Sequence, residues 1–104
     1  MSSLGQKVNA LISGLSDPRL RIDVAQTINF LFGVYCQGKV KEDEVKGDLY
    51  EICHTVVRES NPLIAEDEVR VRAEALTDDF LRTFKVQSLN RRLTNRIIEL
   101  LKTF

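Results

Sequence analysis

Apolar residues recur at intervals of three and four along nearly the whole chain, a period that suits the α-helix and suits no half-buried strand. In residues 3 to 15, Leu4, Val8, Leu11, Ile12 and Leu15 fall on one face of a short first helix. "SDP" then restarts the chain. Either Ser16 or Asp17 can cap the next helix, and Pro18 suits its first turn, where a missing N–H costs nothing. The spacing predicts a second helix over 18 to 37, with Leu20, Val24, Ile28, Leu31 and Tyr35 inward and Gly38 as its stop.

"KVKEDEVKG" opens a third helix. Glu42, Asp43 and Glu44 stand in its first turn, where the helix dipole favours negative charge, and Val45, Leu49, Ile52, Cys53, Val56 and Val57 form its stripe. "ESNP" ends that helix and begins a fourth, with Asn61 able to cap it and Pro62 able to take its first position. Val69, Ala73, Leu76, Phe80 and Phe84 carry the apolar line onward, and a separate short helix at 62 to 65 is equally compatible. A fifth helix is expected from Ser88, burying Leu89, Leu93, Ile97, Leu100 and Phe104.

"VRVRAEA" alternates for only four residues before helical spacing resumes, so no strand is expected. The expected fold is all-α, a compact bundle of about five helices with connections of two to six residues and no sheet, forming one domain over residues 1–104. A domain of about this length buries roughly two thirds of its unfolded surface, which suffices without disulfide or metal. The second half of the second helix is apolar on every side, as in "FLFGVYC" at 30 to 36. Such a helix is either central or shared with another chain. Phe30, Phe32 and Val34 are therefore candidate subunit-interface residues, and self-association is expected.

Cys36, Cys53 and His54 invite a metal or redox reading, but neither a C-x-x-C pair nor a second histidine occurs. If helices two and three turn near residue 40, Cys36 and Cys53 are offset by nine residues, or roughly 13 Å along the axes against a limit of ~7 Å for a disulfide. Both cysteines read as small buried hydrophobes that folding does not require. His54 reads as a boundary residue. The acids Asp78, Asp79, Glu66, Asp67 and Glu68 fit solvated helix faces and helix N-termini, with Glu68 and Arg72 in the favourable i, i+4 order. No nucleophile–base spacing and no phosphate-cradling glycine loop is present. Neither catalysis nor a cofactor, metal or small-molecule substrate is expected.

Fifteen Lys plus Arg balance fifteen Asp plus Glu, yet residues 82 to 104 hold six cations against Glu99 alone, a local +5 that leaves −5 for the remainder. On the expected last helix Arg91, Arg92, Asn95, Arg96 and Lys102 occupy the half opposite the apolar stripe, where they can meet phosphates or an acidic partner. The hairpin 77–104 loosely matches a helix-turn-helix through the valine after the turn. It departs from that motif at Leu81, Lys85 and Arg91, where a small residue, a glycine and an apolar residue are favoured.

The first fifteen residues lack the continuous apolar stretch of an export signal, and no run approaches the ~20 residues of a membrane span, so a cytoplasmic location without membrane association is expected. The function expected is a non-catalytic helical interaction or assembly subunit, as homo-oligomer or with a protein partner. The alternative is a small nucleic-acid-binding protein using the basic C-terminal helix.

Overall fold

The computed structural model describes residues 3 to 103 and is all-helical. Four helices follow in order: α1 (Leu4–Ile12), α2 (Pro18–Gln37), α3 (Glu42–Ser60) and α4 (Glu66–Lys102). Met1, Ser2 and Phe104 lie outside the described residues.

Local chemistry sets the first three boundaries. Ser3 and Gln6 form a reciprocal capping box on α1, Ser3 Oγ accepting from the Gln6 N–H at 3.2 Å and the Ser3 N–H donating to Gln6 Oε1 at 2.9 Å. Asp17, not Ser16, caps α2, accepting from the Arg19 N–H at 2.9 Å ahead of Pro18. Gly38 ends that helix at φ 69°, in the left-handed region where glycine carries no Cβ penalty. Gly14 admits a close approach between helix ends, since a Cβ there would lie 3.1 Å from Ser60 Oγ.

Asn61 serves the helix behind it rather than the one ahead. Its side chain donates to the Val57 carbonyl at 3.1 Å, residues 62 to 64 form turns rather than a short helix, and α4 begins at Glu66. Ala65 offers α4 no side-chain cap, and Glu66, Asp67 and Glu68 complement the positive end of its dipole instead.

The core gathers Leu4, Val8 and Leu15, then Val24, Ile28 and Leu31 of α2, Val45, Leu49, Cys53 and Val56 of α3, and Ala73, Phe80 and Phe84 of α4. Leu81 of α4 joins them, and all but Leu81 are inward positions expected from the periodicity. α3 and α4 share the longest packed seam. Ion pairs from Lys7 to Asp79, Lys46 to Asp78 and Lys85 to Glu42 tie α1 and α3 to α4. Phe84 sits at the joint between α2 and α4, its ring 5.2 Å from Phe32 and 5.7 Å from Tyr35.

The fifth helix does not exist as a separate element. Helix α4 runs unbroken for 37 residues, so the connection expected near "KVQ" is helical and the helix-turn-helix-like hairpin 77–104 is absent. Nothing at residues 82 to 92 is a glycine or proline, and nothing there stops a helix. At 1.5 Å per residue α4 is about 55 Å long against about 30 Å for the 20-residue α2, so its end beyond Arg91 runs past the other helices described. The molecule is accordingly 60 × 27 × 23 Å, with a radius of gyration of 15.8 Å against the ~13 Å expected of a compact chain this long.

Candidate interaction surface

The bundle ends near Ser88 and Arg91. Ser88 is the last buried residue of α4, and the Arg91 guanidinium lies 5.6 Å from the centre of the Phe32 ring, closing the end of the core with a cation–π contact. Every described residue from Leu89 onward is exposed. Leu89, Leu93, Ile97 and Leu100 were expected in the core. All four instead face solvent, and Phe104 falls outside the described residues.

These residues still share one face. At 100° per residue, Val86, Leu89, Leu93, Ile97, Leu100 and Leu101 span about 120° of the helix circumference. They are between 37% and 68% exposed. Of the residues that α4 buries earlier, Val69, Ala73, Thr77, Phe80 and Phe84 point roughly 140° away, while Thr83 lies at the edge of the stripe's own arc. The solvent-facing stripe is thus a second apolar face of α4, not a continuation of the first. A contiguous apolar face on a soluble protein marks an interaction site more often than isolated exposed hydrophobes do.

The polar side of the same segment carries the basic residues. Arg92, Asn95, Arg96 and Lys102 are exposed there, with Arg96 3.9 Å from Glu99, while Arg91 is engaged with Phe32. Of the residues proposed for a subunit interface, Phe32 and Val34 are half-buried against the bundle and Phe30 is 68% exposed on α2. The apolar stripe and the basic face are both legible in the sequence, whereas the stripe lies outside the core. The signal available was the phase change between Phe84 and Leu89, which a turn or a change of partner explains equally well.

Elsewhere the bundle holds a polar clamp and several open clefts. Glu66 at the start of α4 receives His54 Nε2 at 2.7 Å and Arg58 Nη2 at 2.6 Å, and Arg58 Nη1 also donates to the Ile64 carbonyl at 2.9 Å. His54 and Arg58 hold the Glu66 carboxyl down near pKa 2. Because the carboxylate is favoured in the folded state, the clamp's contribution is full above about pH 4.5 and fades as pH falls toward about 2. Melting curves across that window should show Glu66→Gln losing less thermal stability on acidification than the wild type. Equal acid sensitivity would mean the clamp contributes nothing.

One cleft of about 410 Å³ lies between α3 and α4 beside Asp43, Lys46, Tyr50, Glu74 and Asp78. Another of about 480 Å³ lies between α1, α3 and α4, bordered by Ser60 and Arg72. Among the described residues no three His, Cys, Asp or Glu side chains gather as a metal site would require, and both cysteines are thiols, with Cys36 half-buried and Cys53 buried. Burial pushes the Cys53 thiol up to about 11, against the lowering effect of its contact with Thr77. No helix among the described residues is long and apolar enough to cross a membrane. No family model, curated protein or solved structure matches the chain.

Proposed function

We propose that this protein is a non-catalytic helical assembly subunit that docks protein through the apolar face of the projecting end of α4. The observation that carries this reading is the stripe from Val86 to Leu101, exposed on the end of a helix that runs past the other helices described. An unsupported helical segment of some ten residues is marginal in water. Here the bundle supplies its first turns, and a partner burying the stripe supplies the remaining stability. The face, rather than Phe30 on α2, is the docking element, because its apolar residues are contiguous.

A photoactivatable residue at position 93 should crosslink to protein, and the same residue at position 95, on the opposite side, should not. Equal labelling from both positions, or none from 93, would overturn the reading. Exposure of Arg92, Arg96 and Lys102 supports a second reading, in which the basic side of the same segment meets nucleic-acid phosphates. That reading requires binding that weakens with salt, with a log–log slope reduced by up to about three units when these residues become Gln.

A further inference from the structure

We infer that the occupant of the α4 face is a second copy of this chain, paired with it as a parallel two-stranded coiled coil over Val86 to Leu100. This deepens the docking reading above and rests on it. With Leu93 set at position d of a heptad, Val86 and Leu100 also fall at d, and Asn90 and Ile97 fall at a. Isoleucine at a with leucine at d favours two parallel strands, and a single asparagine at a fixes register by pairing with its own counterpart.

The two orientations differ in what they juxtapose. In a parallel pair Asn90 meets Asn90 of the second copy, and Arg96 at g lies against Leu101 at e, with its aliphatic stem packed on the leucine and its charge in water. An antiparallel pair that aligns the same layers sets Asn90 against Leu100 and brings Arg96 against Arg96. That arrangement buries an unpartnered amide and opposes like charges. The e and g positions carry no acidic or basic series that would call for a different, complementary chain. The surface is therefore self-complementary, as an isologous interface must be.

The fold permits this pairing. Most residues that α4 buries lie roughly 140° from the stripe, and α1 reaches the stripe side at Asp79 through Lys7, before the seam begins, so two copies can bring their stripes together from Val86 onward. Asp79 takes the d position one heptad earlier, so the apolar seam begins at Val86. Five layers along about 20 Å of helix bury less than a standard interface of ~1,200 Å² or more, which makes the dimer weak and dependent on concentration.

Sedimentation of the full chain should show a monomer near ~1 µM and a dimer by ~200 µM, the range fitting an interface below that size. Leu93→Glu with Ile97→Glu should raise the dissociation constant at least about tenfold while leaving the monomer's melting temperature unchanged, since both residues are exposed in the monomer. Orientation is read with a spin label at Lys102→Cys in a Cys36→Ala background. Parallel strands set the two labels level, whereas the antiparallel pair offsets them by about 20 Å along the axis. A wild type that stays monomeric at ~200 µM, a trimer or tetramer, or an offset label pair overturns the parallel dimer. If the monomer still crosslinks protein from position 93, the docking reading survives that result, and if it does not, both fall.

Discussion

Phe84→Ala should cost about 3 to 5 kcal/mol of folding stability and lower the melting temperature by roughly 12 °C or more. Phe84 is 0% exposed, and its ring is held between Phe32 at 5.2 Å and Tyr35 at 5.7 Å. Truncation removes the transfer energy of an aromatic side chain, leaves a void that two other rings border, and forfeits aromatic contacts of about 0.5 to 1.5 kcal/mol each. A domain of this kind has only about 5 to 15 kcal/mol in total, so the loss is a large share. The matched control is Leu93→Ala, measured on dilute monomer. At 53% exposure Leu93 is not packed into the described core and leaves no cavity there, and its truncation should change stability by no more than about 0.5 kcal/mol. A Leu93→Ala cost of several kcal/mol would mean that the end of α4 is folded back into a core. A Phe84→Ala cost below about 1 kcal/mol would mean that α2 and α4 are not wedged together at this joint.

The contrast between those two residues shows what the sequence made legible. For α1, α2 and α3, local and long-range signals agree: Asp17 and Pro18 open a helix where the stripe of Leu20, Val24, Ile28 and Leu31 begins, and Gly38 closes it at φ 69°. Asn61 was ambiguous for a local reason. It lies between two helices, and its amide can satisfy the last carbonyls of one or the first N–H groups of the other; only the fold directs it to the Val57 carbonyl.

The C-terminal half departs from the expected five-helix pattern for a different reason. Periodicity reports that Leu89, Leu93, Ile97 and Leu100 share a face, but says nothing of what that face meets. Splitting the segment in two made room for a fifth core helix. The segment through Lys85, Gln87, Arg91 and Arg92 has good helix formers and no glycine or proline, which favours one long element, and the lengths of α2 and α3 then decide that its end runs past the described bundle. Part of the candidate surface was therefore visible as a pattern, and its exposure was not.

A pair of prolines separates one long projecting helix from two short packed ones. Asp78→Pro falls where α4 is flanked by α1 and α3, with Thr77 and Phe80 buried on either side. It deletes one backbone hydrogen bond and sets the ring against the carbonyl of residue 74, at a cost of about 3 kcal/mol or more. Because α4 contributes Ala73, Phe80 and Phe84 to a single core, a break there should destabilise the entire bundle rather than one segment. Asn95→Pro introduces the same defect beyond the last buried residue, Ser88. At that position only the exposed end of α4 can unravel, so the monomer should melt at the wild-type temperature and lose a few residues' worth of helical ellipticity. It should also abolish dimer formation, since a straight helix through Leu93, Ile97 and Leu100 is what the seam requires. If residue 95 lay in a packed fifth helix, its proline variant would instead melt well below the wild type, as Asp78→Pro should. Circular dichroism melts of the two variants at low micromolar concentration decide between the architectures.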